Sequence, residues 1–200
     1  MPKSYSAFNY EDLKMLGLKV IADPLFIGVT IPPVAPSDFL LKILERNARQ
    51  NMRSEKAKSE FIISPILTEL HAFNQDKFAF YSGYKFSVDL KLGLTGFCDF
   101  ILSLEPKAVT IEAPVFFVVE SKNDNLDSGI AQCIAEMYAA QLFNQKQGRA
   151  RPVIYGAVTL GLEWKFIQLI GTVATIDANV FYLNQLPEIL GTLQYIINNA

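Results

Sequence analysis

The chain has 200 residues, half of them hydrophobic and 12% aromatic, and a formal net charge of −2. These values fit one globular domain with a substantial core rather than a disordered chain. They also argue against nucleic-acid binding by overall charge, though a local basic patch on an acidic body stays open.

Residues 1–53 read as N-terminal decoration packed on a core, with a basic helix at their end. Asn9 is placed to cap a short helix through Leu16. FIGVTIPPVAP, residues 26–36, reads as a short strand or extended arm stopped by Pro32, Pro33 and Pro36. Ser37 then opens a helix over 37–52, with Phe39, Leu40, Ile43 and Leu44 at helical spacing. A second helical stretch spans 54–73. Pro65 should kink or restart it, and Ser64 could cap the second half. Lys42, Arg46, Arg49, Arg53, Lys56 and Lys58 are opposed there only by Glu45 and Glu55. This is either the surface that meets phosphates or the wet side of an amphipathic helix.

Strands follow. In 76–93, Phe78, Phe80, Tyr84, Phe86, Val88 and Leu90 alternate with polar or small residues, and Gly83 marks a candidate bulge. GFCDFILSL (96–104) and VFFVVESK (115–122) are apolar runs joined by the turn-like EPKAVTIEAP. After a polar loop, Asp127 or Ser128 should cap a long helix ending near Gly148. Its apolar side is Ile130, Ile134, Met137, Tyr138, Leu142 and Phe143. Residues 152–161 and 163–171 form a last hairpin around Gly161 and Leu162, and a helix over 187–197 closes the chain.

Several chemistries drop out. The single histidine, His71, cannot build a zinc cluster, and no nucleophile-elbow glycines accompany it. Walker and dinucleotide glycine patterns are missing. Cys98 and Cys133 lie in apolar runs without metal-ligand spacing, so buried free thiols and a reducing cytoplasm are expected. No apolar run reaches the roughly 18 residues of a membrane span, and the first residues lack the apolar core of a signal peptide.

What remains is the end of VFFVVESK. Side chains two apart on a strand point the same way, so Glu120 and Lys122 sit side by side at the end of a strand buried on both faces. Charges there are costly unless paired, hydrated or bound to metal. If 96–104 and 115–122 form a hairpin turning near Val109 and Thr110, Asp99 falls opposite Glu120. Directly opposed residues lie roughly 5 Å apart at their β-carbons. Two carboxylates with a lysine beside them suit one or two magnesium ions and an activated water.

At these residues the chain resembles the PD-(D/E)XK nuclease superfamily. The match is Asp99 in one strand followed by Glu120-Ser121-Lys122 at the end of the next, although Cys98 stands where many members have proline. The resemblance implies an α/β, restriction-endonuclease-like fold: a mixed sheet of four to six strands with helices on both faces. It divides a single domain, 1–200, into 1–53, a nuclease-like core at 54–171 in the order helix, three strands, helix, strand, and a C-terminal helix in 172–200. It further implies a nuclease using magnesium or manganese, held by Asp99, Glu120 and the Ser121 carbonyl, with Lys122 steering water. A glutamate on the preceding helix is implied as well, Glu55 with Glu60 as the alternative, and a glutamine on the following one, Gln132. Glu55, Glu60 and Gln132 can equally be read as surface residues, with Glu136 a weaker candidate. The implied partner is nucleic acid, DNA ahead of RNA, with room for a homodimer and no membrane. The rival reading is a non-catalytic nucleic-acid-binding or protein-interaction module on the same fold.

Overall fold

A computed structural model describes residues 3–75 and 77–200; Asp76, where the first strand was expected to begin, lies outside them. Every residue of Val115–Ser121 is buried, which requires a sheet covered on both faces. Among the described residues that sheet has eight strands: β1 Lys19–Ala22, β2 Ala79–Asp89, β3 Leu94–Ser103, β4 Val115–Ser121, β5 Val153–Thr159, β6 Glu163–Ile170, β7 Val173–Ile176 and β8 Phe181–Tyr182. Along the sheet the order is β1-β7-β6-β5-β4-β3-β2, with β8 beside β6. The helices are α1 Tyr10–Met15, α2 Asp38–Asn47, α3 Glu55–Lys58, α4 Ser64–Phe73, α5 Asp127–Lys146 and α6 Leu186–Asn198.

The chain is therefore α/β with a mixed sheet. β2, β3 and β4 run antiparallel to one another, and α5 carries the chain back so that β5 lies parallel to β4. Alternating residues face two cores. Val118, Ile154 and Val158 meet Leu13, Ile130, Ile134 and Met137 of α1 and α5 on one side. Phe100, Phe116 and Phe166 meet Leu40, Ile66, Leu70 and Leu190 of α2, α4 and α6 on the other. Truncating a buried phenylalanine such as Phe116 would cost about 3–5 kcal/mol.

The hairpin has the expected register. Phe100 pairs Val119, Ile101 pairs Val118 and Leu102 pairs Phe117, an alignment that carries on to Asp99 opposite Glu120. The connecting segment is a loop rather than a tight turn, and the irregularity is taken up by a shift at Ser103 and Val115, away from the acids.

Elsewhere the structure corrects the sequence reading. The sheet is wider than six strands, because β1, β7 and β8 are short and lie where none was expected. Residues 26–36 form no strand. Residues 1–53 put β1 into the sheet and Tyr5, Leu13 and Leu40 into the cores. Ser64 caps nothing. A π-turn over Ser59–Ile63 leads straight into α4, and Pro65 sits at its second residue, where a missing N–H is harmless. Gly83 adopts φ +61° but keeps the ladder in step; the bulge lies between Ser87 and Asp89. Neither Asp127 nor Ser128 caps α5. Asn125 does that work from the loop, its Oδ1 accepting the Asp127 N–H at 2.8 Å.

Candidate active site

The site forms at the C-terminal end of β4, on the face that α5 covers. Asp99 Oδ2 accepts the Ser121 N–H across the hairpin at 2.7 Å. Lys122 Nζ donates to Glu120 Oε1 at 2.5 Å and to Gln132 Oε1 at 3.2 Å. Gln132 in turn donates from Nε2 to Glu136 Oε1 at 3.0 Å. The Lys122 N–H donates to the Thr159 carbonyl at 2.8 Å, so the lysine's backbone is held as firmly as its side chain. On β2, Gly83 lies across from Asp99, between the Ser82–Phe100 and Tyr84–Cys98 pairs, and sets no side chain beside the acid.

Gly129, in the first turn of α5, makes room for the lysine stem. A Cβ there would lie 2.9 Å from Lys122 Cγ and 2.8 Å from Val158 Cγ1, closer than packed atoms approach. The helix thus touches Lys122 through the Gly129 notch and again through Gln132.

Burial dominates the electrostatics. Glu120 is 3% exposed. Loss of solvation first, and the Asp99 charge second, push its carboxyl up to about 8 despite the Lys122 ion pair. Asp99 is raised by burial too, against the Ser121 N–H and the Lys122 ammonium, both of which favour its anion. For Lys122, burial disfavours the charge, but Glu120, Glu55 and Asp99 outweigh it and its pKa rises. The lysine is therefore an ammonium throughout the neutral range. Glu136 is raised well above the usual carboxylate range by complete burial and by Glu120.

The sequence-predicted residues divide clearly. Asp99, Glu120, Ser121, Lys122 and Gln132 come together: Asp99 is bonded to Ser121, Lys122 to Glu120 and Gln132, and charge couples the two sets. Glu55, exposed at the start of α3, joins them at a distance, its charge bearing on Asp99, Glu120 and Lys122. Glu60 instead pairs with Lys56 at 3.1 Å. Gln132 is buried rather than a surface side chain, and Glu136 is fully buried behind it. Ala131, Ala135, Ala139 and Ala140, all buried, lie beside them on α5; such small residues let neighbouring elements approach but do not by themselves mark a buried polar pair. Lys58 donates to the Asn123 carbonyl, tying the basic region to the loop after Lys122. Cys98 and Cys133 are free, buried thiols, raised well above their usual range by burial. Among the described residues no helix is long and apolar enough to cross a membrane.

No family model and no curated protein matches the chain.

Proposed function

We propose that the chain is a metal-dependent nuclease hydrolysing phosphodiester bonds of nucleic acid, on a restriction-endonuclease-like core. The single observation that carries this reading is the convergence of Asp99, Glu120 and Lys122 at one strand end, two carboxylates and an ammonium where the fold would otherwise bury apolar side chains. The order of elements from α3 to β5, helix, three strands, helix and a strand parallel to the third, agrees with it.

Magnesium or manganese fits the donors. Glu120 Oε2 is buried without a hydrogen-bond partner among the described residues, an oxygen that a cation would satisfy. Asp99 and the Ser121 carbonyl would complete the protein ligands. Among the described residues no group of three or more His, Cys, Asp or Glu side chains is arranged to hold a metal. Magnesium needs no such group: one or two carboxylates suffice, with water and substrate phosphate filling the remaining positions. Bound there, the ion would supply Lewis acidity and neutralise charge at the phosphate.

The chain's own residues do the rest. The Lys122 ammonium has three donors; Glu120 and Gln132 occupy two and leave one for a water or a phosphate oxygen. As a fixed positive charge it stabilises the negative charge that develops on the phosphoryl group. The Ser121 N–H holds Asp99 by one oxygen and so orients the other. Arg46, Arg49, Arg53 and Lys56 are exposed, and of these the Lys56 charge reaches Asp99. This basic region is where a nucleic-acid backbone would lie.

The test is cleavage of single- and double-stranded DNA, then RNA, with magnesium, manganese or chelator. Wild type should cut only with metal, and Lys122→Met should lose on the order of 100-fold or more in rate while still binding. A wild type that binds nucleic acid but never cuts it is a non-catalytic module. Equal rates in both proteins would place the activity elsewhere.

A further inference from the structure

Glu136 is not needed to hold metal, and it serves the core poorly. It is completely buried one turn beyond Gln132 on α5. Its Oε1 accepts the Gln132 amide, but Oε2 has no hydrogen-bond partner among the described residues. A half-satisfied buried carboxyl destabilises a fold relative to an apolar side chain of the same length. What it provides is orientation. An amide presents nearly the same shape with its oxygen and nitrogen exchanged, and either end of Gln132 could face Lys122. Ionised, Glu136 offers only acceptors; neutral, it keeps one acceptor oxygen beside its single O–H, and the oxygen that faces Gln132 accepts. It therefore draws the amide nitrogen inward and turns Oε1 out towards the lysine, 3.2 Å from Nζ.

We propose that Glu136 is a positioning residue for Lys122, acting through Gln132. With Glu120 on one proton of the ammonium and a fixed amide oxygen on another, the direction of the third is set before substrate arrives. Without Glu136 the amide is free to turn its NH2 towards the ammonium, two donors face each other, and the lysine keeps only Glu120. That geometry stands by itself; its consequence for turnover rests on the nuclease reading.

The experiment uses the full chain labelled with ¹³C at lysine Cε, the Lys122 signal being assigned by its loss in Lys122→Met. Carbon relaxation reports how tightly the lysine is held, with no need of activity. In Glu136→Met the Lys122 order parameter should fall below that of wild type while staying above that of exposed lysines, because Glu120 still holds it, and Glu136→Gln, which retains an acceptor oxygen, should restore it. Gln132→Leu should match Glu136→Met, and the double variant should be no worse than either alone, as expected of residues acting in series. Where cleavage is measured, Glu136→Met should lose about tenfold in kcat at unchanged KM, the scale of one hydrogen bond to a charged group. Its melting temperature should equal or exceed that of wild type. A Lys122 as rigid in Glu136→Met as in wild type overturns the proposal. So does a Glu136→Met that fails to fold, because the carboxyl would then be structural. If wild type never cleaves, the nuclease reading fails while the relaxation data still decide the role of Glu136.

Discussion

Glu120 should make the metal-free protein less stable as the solution becomes more alkaline. In the fold its carboxyl is pushed up to about 8, by burial first and Asp99 second; in the unfolded chain it returns to the ordinary 4.5. Between those values the native state keeps a proton that the unfolded state has released. The native state binds more protons, so stability falls as pH rises. The contribution is fully present below the unfolded value and lost once pH passes the folded one. One proton is worth about 1.4 kcal/mol per pH unit, so the loss between about pH 6 and pH 8 should be about 2 kcal/mol. Lys122 adds nothing to this window, because its pKa is raised from an already high value. Asp99 and Glu136 have the same sign as Glu120, so a second protein is needed to isolate it. Glu120→Gln keeps the shape and has no proton to lose. Urea unfolding in chelator, for both proteins across this range, gives the comparison. The stability difference between wild type and Glu120→Gln should shift by about 2 kcal/mol, with wild type losing ground as pH rises. A difference that stays constant would mean Glu120 is already ionised in the fold, and the reasoning from burial would fail.

Two further outcomes test the site and its surroundings. Magnesium or manganese should raise the melting temperature of wild type more than that of Asp99→Asn, since a bound ion relieves the repulsion between the carboxylates; equal shifts would remove Asp99 from any metal site. Removing charge at Arg46, Arg49 and Arg53 should weaken nucleic-acid binding and flatten its salt dependence by roughly 0.7–0.9 for each phosphate no longer neutralised, with the melting temperature unchanged. An unchanged salt slope would make these arginines ordinary solvated side chains.

The centre of the fold could be read from the sequence because its signals are local and hard to satisfy otherwise. Five apolar residues followed by Glu120 and Lys122 leave little choice but a central strand ending in an ion pair. The hairpin register followed from placing the turn in the middle of the polar segment. It held although the turn became a loop, because the shift at Ser103 and Val115 absorbs the irregularity before the register reaches Asp99. The strands β1, β7 and β8 carried no comparable signal. Four residues or fewer do not establish a period of two, and the pairing of β1 with β7 joins the two ends of the chain, as in Lys19 with Val173.

The candidate site was only half legible, for a different physical reason. Helical periodicity assumes that one side of a helix faces water, and it left Gln132 open between a surface side chain and a member of the site, with Glu136 the weaker candidate. Twelve residues of α5 are buried, however, including Gln132 and Glu136. The polar residues at those positions do not mark solvent. Their burial becomes intelligible only once Lys122 is seen between Glu120 and Gln132, where the ammonium needs a second acceptor that the apolar neighbours cannot offer. The acids and lysine in the strands could be found because charge interrupts an apolar run. Their helical partners came only through the family resemblance, Gln132 no more strongly than as a surface residue and Glu136 more weakly still, because a glutamine and a glutamate on a helix look the same from the sequence whether they meet water or hold a buried lysine in place.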